Sequence, residues 1–256
     1  MERMTNESGK KIGKKLRLDK ILSHLGLATR SESKKLVKQG RITVDGTIIK
    51  DSGLQVDPEV SAIELDGQPV RYREFVYLML NKPQDVISAT EDRHDRTVID
   101  LLDAEYLAFE PFPVGRLDKD TEGLLLLTND GKLAHELLSP RKHVPKTYEA
   151  IVFGAVDEAD GAAFKAGVEL DDGYKTMPAE LEIIRRYEQD GAPHSDIRLT
   201  IMEGKFHQVK RMFEAVGKKV VFLKRVSMGP LPLDPELSPG EYRELDEEEL
   251  RLLRGE

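Results

Sequence analysis

Three carboxylates at alternating positions, Asp118, Asp120 and Glu122, are the first candidates for chemistry in this sequence. They lie in the segment GRLDKDTEGLLLLTNDG, residues 115–131, where a highly charged turn directly precedes an apolar run. Carboxylates so spaced can ligate calcium, or they can serve a hydrolase in which Asp118 acts with Asp120 or Glu122 as the acid. They can also be ordinary residues of a polar turn.

A calcium-binding loop fits this spacing only in part. Asp118, Asp120 and Glu122 would take loop positions one, three and five, with Gly123 at position six. Position twelve, which requires a bidentate glutamate, is Asn129. We therefore expect no metal at this turn.

The composition excludes several other classes of site. The chain has no cysteine, so it has no disulfide, thiolate zinc site or cysteine nucleophile. It also has no glycine-rich phosphate loop, dinucleotide fingerprint or histidine cluster, so we expect neither a cofactor nor a metal. No stretch approaches the roughly 20 apolar residues of a membrane span, and the N-terminus lacks the apolar core of a secretory signal. We therefore expect a cytoplasmic protein.

The charge is distributed unevenly along the chain. Residues 1–50 contain 13 Lys or Arg and 5 Asp or Glu, a net charge of +8. The rest contains 26 and 42 of these residues, a net charge of −16. Salt screens exposed charges beyond about 10 Å, so a polyanion near the N-terminal region would respond to the local basic face. A solvated basic tail on an acidic protein fits the numbers equally well.

The pattern predicts an α+β chain in three parts. Residues 1–15 are polar and lysine-rich and are predicted to be a disordered basic arm. Residues 16–72 are predicted to form a small α+β module, because they contain two helical patterns and two Asp-Gly hairpin signals. Residues 75–256 have many strand patterns and few helical ones, which predicts a mixed α+β domain with flanking helices.

The elements of the small module can be placed from short signals. Apolar residues recur at helical spacing over 18–25, and Thr29 with Glu32 fits a capping box that starts a second helix. Asp-Gly pairs at 45–46 and 66–67 lie between β-rich runs and predict two hairpins. The basic residues of the module are Arg17, Lys20, Arg30, Lys34, Lys35, Lys38 and Arg41.

Strand and helix signals in the second domain follow the same rules. The predicted strands are Val76–Leu80, Leu124–Leu127, Tyr148–Phe153, Ala179–Ile184, Ile197–Ile201 and Val220–Arg225. The predicted helices are Lys132–Leu138, His207–Val216 and Glu247–Leu253.

Ordered motifs connect the chain to a known family. The string LRLDKILSHLGLATRSESKKLVKQGRITVDG resembles the S4-type RNA-binding domain over residues 16–62. Residues 115–131, LNKPQDVISAT at 80–90, the Lys-Thr-Tyr triplet at 146–148 and EGKFHQVKRMFEAVG at 203–217 resemble the pseudouridine synthases of the RsuA type. The resemblance implies a mixed, mainly antiparallel sheet with the active cleft across one face. It also implies isomerisation of a uridine in RNA, without a cofactor.

The resemblance also implies roles for individual residues. Asp118 corresponds to the nucleophile, and Lys210 to its basic partner, with the adjacent Arg211 as the alternative. Tyr148 would stack on the uracil and is a candidate for moving the proton of its 5-carbon. Arg116 would help to hold the extruded nucleotide, and Arg211 and the basic residues of the small module would contact RNA.

A helical wheel separates the two basic candidates. Lys210 lies about 110° from the centre of the apolar face and Arg211 about 150°. We therefore expect Lys210 to flank the buried face and to reach into a cleft, and Arg211 to point outward to solvent or RNA. The apolar face is formed by Val209, Met212, Phe213 and Val216.

The expected partner is ribosomal RNA or a pre-ribosomal particle, bound by a monomer. The sequence resembles the synthases of small-subunit, 16S, rRNA more than those of 23S rRNA, which remain the alternative. A second alternative is a non-catalytic rRNA-binding or ribosome-assembly protein. The intact set Asp118, Tyr148 and Lys210 favours an enzyme over this protein.

Overall fold

The computed structural model describes residues 15–256, so the predicted arm, residues 1–15, lies outside the described part except for Lys15. The chain divides into two compact units. The first takes in the residues up to Val76 together with Leu102–Glu110. The second comprises Tyr77–Leu101 and Pro111–Glu256.

The first unit is a small α+β module with short elements. Its helices are α1 (Leu18–His24), α2 (Arg30–Lys38) and α3 (Ala104–Leu107). Its strands are β1 (Leu16–Arg17), β2 (Ile42–Val44), β3 (Thr47–Ile48), β4 (Gln55–Val56), β5 (Ile63–Leu65) and β6 (Gln68–Pro69). The strands form a pair β1-β4 and a four-stranded sheet in the order β3-β2-β5-β6. The core between them includes Leu18, Ile21, Leu22, Val37, Ile42 and Ile63.

Local sequence signals account for the boundaries in this unit. The predicted capping box is confirmed, because Thr29 Oγ1 accepts the backbone N–H of Glu32 and the Glu32 carboxylate accepts the N–H of Thr29. Both predicted hairpins are confirmed between β2 and β3 and between β5 and β6. Their Asp-Gly pairs, at 45–46 and 66–67, have positive φ at both residues, the geometry that this dipeptide favours.

The segment Leu102–Glu110 belongs to the first unit, which the sequence did not predict. Phe109 is buried, and its ring lies edge-on to the His24 ring at 5.0 Å. The Arg73 guanidinium lies 4.8 Å from the centroid of the same ring. Phe109 and its contacts therefore tie this segment to residues that precede it by more than 30 positions.

The second unit contains a nine-stranded sheet. Its order is β11-β12-β10-β13-β9-β7-β15, with β8 paired to β9 and β14 paired to β13. All pairings are antiparallel except β9 with β13. The predicted α+β class with a mainly antiparallel sheet is therefore confirmed. The strands are β7 (Tyr77–Lys82), β8 (Phe112–Pro113), β9 (Glu122–Thr128), β10 (Lys146–Phe153), β11 (Glu180–Gln189), β12 (Ala192–Ile201), β13 (Lys219–Met228), β14 (Leu231–Pro232) and β15 (Tyr242–Glu244).

Four α-helices flank this sheet: α4 (Gly131–Leu138), α5 (Glu158–Ala166), α6 (Gln208–Ala215) and α7 (Glu247–Arg254). Helix α5 was not predicted, because Gly161 and its polar residues weaken the apolar period. It buries Phe164, whose ring meets that of Phe213 from α6 edge-on at 5.0 Å. Over residues 15–256, no helix combines the length and the apolar character that crossing a membrane requires.

Candidate active site

A cleft on the face of the second unit's sheet gathers residues from three of the four family-like motifs. About 120 Å³ in volume, it is lined by the turn before β9, by β10 and β13, and by the loop that leads into α6. A wider depression of about 700 Å³ shares Arg116, Asp118 and His207 with it and adds Lys210. Asp118 therefore lies where the narrow cleft meets the open depression.

The turn that carries Asp118 is held in place by hydrogen bonds from the motif at residues 80–90. The Thr121 N–H donates to the Asp118 carbonyl at 3.1 Å and closes the turn. The fully buried Lys82 amine donates to the carbonyls of Thr121 at 2.8 Å, Pro83 at 2.9 Å and Lys119 at 3.3 Å. Burial lowers the pKa of Lys82 to about 8, although Asp118 and neighbouring carboxylates oppose this shift.

A second clamp holds the residue just before Asp118. The Ser88 hydroxyl donates to the Leu117 carbonyl at 2.9 Å and accepts the Leu117 N–H at 3.0 Å. Asp118 is thus flanked by backbone groups that are held on both sides. The roles of Lys82 and Ser88 went unpredicted, because their contacts join positions about 30 to 40 residues apart.

Asp118 is held in a cluster of charges at the start of α6. Lys210 Nζ lies 3.1 Å from Asp118 Oδ2 and 2.6 Å from Asp120 Oδ1. The His207 Nε2 atom lies 3.4 Å from Asp118 Oδ1. The Lys210 contact holds the pKa of Asp120 below its usual range. Burial opposes the charge of Lys210, but the two carboxylates outweigh it and raise its pKa.

The loop 203–208 sets the start of α6 and therefore the place of Lys210. The buried Gln208 side chain accepts the Lys205 N–H at 2.8 Å and donates to the Glu203 carboxylate at 2.9 Å. His207 adopts a left-handed backbone with φ of 48°, which turns the chain into the helix. The contact of His207 with Asp118 was not predicted, because a single histidine in the sequence carries no such signal.

Tyr148 lies on the floor of the cleft. It is buried on β10 and lines the cleft with Asp118, and its Cα pairs in register with that of Arg225 on β13. On the other side of β13, Arg225 pairs with Gly123 of β9. A Cβ at Gly123 would meet the Arg225 carbonyl oxygen at 2.2 Å, so only glycine permits this close strand packing.

Arg116 and Arg211 differ in their surroundings. Arg116 is exposed at the mouth of the cleft and makes no ion pair within residues 15–256. Arg211 was expected to point outward, yet its side chain is only 13% exposed and is bound by Asp171 and Asp172. The wheel placed Arg211 correctly on the helix, but it could not reveal the acidic loop that covers this position.

The predicted RNA-contacting residues of the first unit are exposed at its surface. Two of them are engaged, because Arg17 pairs with the buried Asp19 at 2.6 Å and Arg41 makes two bonds to Asp66. The others, which make no ion pair within the described chain, are Lys20, Arg30, Lys34, Lys35 and Lys38. Within residues 15–256, no three His, Cys, Asp or Glu side chains are arranged to hold a metal.

Comparisons with known proteins match both units. The profile of the RNA pseudouridylate synthase family matches residues 76–215, and that of the S4 domain matches residues 16–60. An uncharacterised RNA pseudouridine synthase of Bacillus subtilis is 56% identical over 238 residues, which cover 93% of this chain and 98% of the relative.

Two further relatives span nearly the whole chain. The ribosomal small subunit pseudouridine synthase A of Salmonella typhimurium is 42% identical over 237 residues, covering 92% of this chain and 98% of the relative. A crystal structure of a pseudouridylate synthase is 39% identical and has a TM-score of 0.63. The match covers 93% of this chain and 99% of the chain in that crystal structure.

Proposed function

The chain belongs to the RNA pseudouridylate synthase family, and we propose that it converts one uridine of small-subunit ribosomal RNA to pseudouridine, with Asp118 as the nucleophile. The observation that carries the proposal is the Asp118 carboxylate, which is 26% exposed at the junction of the two cavities and is bound by Lys210. A carboxylate so placed is held by a cation on one side and is open to a substrate on the other.

The reaction begins at the glycosidic bond of the target nucleotide. The bond between the base nitrogen and the sugar carbon breaks, and its electron pair remains on the uracil. An Asp118 oxygen bonds to the sugar carbon, so that the positive charge on the sugar is quenched covalently. The uracil then turns over, its 5-carbon displaces Asp118 from the sugar, and the proton leaves that carbon while the nitrogen that was bonded to the sugar gains one.

Tyr148 and Arg116 handle the nucleotide around this step. The buried Tyr148 ring on the cleft floor stacks on the uracil, and its hydroxyl makes no hydrogen bond within the described residues. That hydroxyl can relay the proton of the 5-carbon, passing on its own proton as it takes up the new one. Arg116, exposed at the mouth, holds the phosphates of a nucleotide that has been flipped out of the RNA.

The charge state of Asp120 speaks against the alternative of a hydrolase. A general acid needs a raised pKa so that it carries a proton at neutral pH. Asp120 has the opposite shift, because its contact with Lys210 lowers its pKa. Asp120 therefore acts as a second partner for Lys210 and is not suited to be the acid of a hydrolase.

The choice of RNA rests on the relatives and on the first unit. The name of the Salmonella relative states action on the small ribosomal subunit, and that protein is similar over nearly its full length. The matched S4 domain supplies exposed cations that are suited to phosphates. Together these features favour 16S rRNA, free or in a pre-ribosomal particle, as the substrate.

The test is to map pseudouridines in the rRNA of cells with and without this gene. We expect one 16S position to lose its pseudouridine in the deletion strain and to regain it with the wild-type gene. The Asp118→Asn gene, expressed to the same level, should fail to restore it. A lost position in 23S rRNA would show that the subunit is wrong, and unchanged maps of both RNAs would refute an rRNA substrate.

A further inference from the structure

Two buried cations in the cleft have no carboxylate partner within residues 15–256. Arg225 is 2% exposed, and its Nε donates to the Leu124 carbonyl at 2.8 Å. Its Nη2 atom is buried and has no hydrogen-bond partner in the described part of the chain. Lys146 is 8% exposed, and among the described residues its amine donates only to the Val144 carbonyl, at 2.9 Å.

The strand register places both cations at the floor of the cleft, beside Tyr148. Arg225 on β13 pairs directly with Tyr148 on β10, and Lys146 lies two residues before Tyr148. Side chains two apart on a strand share a face of the sheet. All three residues line the cleft together with Asp118. The two cations therefore flank the ring on which the uracil is proposed to stack.

The arrangement is costly unless a negative charge enters the cleft. A buried charge without a partner is destabilising, because the charge loses its hydration and gains no counter-charge. The cost is visible at Lys146, where burial and then the neighbouring Arg225 lower the pKa. The nearby carboxylates of Asp118 and Asp120 are already bound by Lys210. An anion on the cleft floor would thus be stabilised by groups that are already in place.

We propose that Lys146 and Arg225 bind the uracil anion while it is detached from the sugar, an inference that rests on the proposed function. When the glycosidic bond breaks, its electron pair leaves a negative charge that is shared between the base nitrogens and the two carbonyl oxygens. The Arg225 guanidinium, whose Nη2 is unpartnered within the described residues, and the amine of Lys146 both belong to side chains that line the cleft, and they donate to these atoms.

This site would serve both the rate and the outcome of the reaction. Fixed donors aimed at a developing charge stabilise the transition state more than the ground state. The same donors retain the detached base, so that it returns to the sugar and water does not replace it. Lys210 is less suited to this role, because two of its three N–H donors already bind carboxylates.

The test varies the leaving group and the cation together. Single-turnover rates at saturating enzyme are measured with matched RNAs that carry uridine or 5-fluorouridine at the target, as loss of the intact nucleoside. Fluorine withdraws electrons, so the departing anion needs less stabilisation by the protein. We expect Lys146→Met to slow the uridine RNA by about 100- to 1000-fold. The loss with the 5-fluorouridine RNA should be at least tenfold smaller.

Control variants separate charge from folding. Lys146→Arg keeps the cation and should recover most of the uridine rate. Lys219→Met removes an exposed lysine at the start of β13 and should leave both rates unchanged. Arg225→Gln should repeat the leaving-group pattern of Lys146→Met. If this variant does not fold, because Nε also holds Leu124, then the Lys146 pair decides the question.

The contrary outcomes are distinct. Equal losses of Lys146→Met with both RNAs would mean that the cation positions the site or holds a phosphate, and would overturn the proposal. Unchanged rates would overturn it as well. A wild-type enzyme that consumes neither RNA, or an active Asp118→Asn variant, would instead refute the proposed function on which this inference rests.

Discussion

Lysine and arginine side chains serve different ends in the two units of this molecule. In the second unit, Lys82, Lys146 and Arg225 are buried and are held by backbone carbonyls beside a carboxylate. In the first unit, Lys34 and Lys38 are exposed and make no ion pair within the described chain. Buried cations act through their position, whereas exposed cations act through their number.

The comparison predicts two kinds of variant. A change at a fixed group of the cleft should alter one step strongly and should depend little on salt, because buried charges are poorly screened. A change at an exposed cation should alter affinity mildly and depend strongly on salt.

Replacement of Asp118, the proposed nucleophile, should have the largest effect. Asp118→Asn preserves the shape of the side chain but removes its charge, so the single-turnover rate should fall by roughly four orders of magnitude or more. RNA affinity should change less than threefold, since Asp118 is one contact among many. Rates and binding are to be measured on the same 16S fragment. A rate within tenfold of wild type would refute the role of Asp118.

The neighbouring cations of α6 offer a matched pair. Lys210→Met leaves Asp118 without its partner at 3.1 Å and should slow the chemical step by about 100- to 1000-fold. Arg211→Met removes a cation from the same helix, but this one binds Asp171 and Asp172 and does not contact Asp118. Its rate should fall less than tenfold. The reverse ranking of the two variants would show that Arg211 is the functional partner.

The Lys210 and Arg211 pair also shows what a sequence can predict. Wheel geometry placed Lys210 at the flank of the apolar face, and this residue contacts Asp118 in the structure. The same wheel could not predict the cover on Arg211, because Asp171 and Asp172 lie some 40 residues away. Periodicity describes one helix, whereas burial depends on whatever packs against it.

The predictability of the fold divides in the same way. The family and fold class are confirmed, because several ordered motifs were read together. Caps and hairpins were predicted correctly, since they depend on residues within a few positions of each other. The anchors Lys82 and Ser88, and the place of Leu102–Glu110, depend on long-range packing. Short patterns carry no information about such contacts.

The buried amine beneath the Asp118 turn should give the protein a pH-dependent stability. Lys82 has a pKa of about 8 in the folded protein and near 10.5 when unfolded. Between these values the unfolded chain binds more protons, so stability rises with pH. Relative to Lys82→Met, the wild-type protein should therefore gain up to roughly 3 kcal/mol between pH 8 and 10.5.

The gain in unfolding free energy can be measured by urea unfolding at about pH 7.5, just below this window, and at about pH 9 and 10, within it. Lys132→Met, at an exposed position of α4, serves as the control and should run parallel to wild type. A constant difference between wild type and Lys82→Met across the range would show that Lys82 is not a desolvated cation. The sign matters, because an ordinary ion-paired lysine would lose stabilisation as the pH rises.

The smallest effect is expected at three exposed cations of α2 in the first unit, Arg30, Lys34 and Lys38, which are spaced four residues apart and form a basic stripe. Deletion of residues 1–62 would not test this effect, because it would remove β2 and leave β5 without its partner strand. Leu65 of β5 pairs with Ile42 of β2. Substitution of the stripe preserves the fold. The triple variant changes Arg30, Lys34 and Lys38 to Gln, and its charge-matched control changes the exposed Lys132, Lys165 and Lys219 of the second unit. Both variants lose three charges.

Each phosphate contact contributes roughly 0.7 to 0.9 to the slope of log affinity against log salt, so the stripe variant should lose about 2 units of slope. The control should lose less than about 0.5. Both should retain the wild-type single-turnover rate at saturating enzyme, because no substituted residue lines the cleft. Equal slopes for the two variants would mean that only net charge matters, and the first unit would then have no special part in RNA binding.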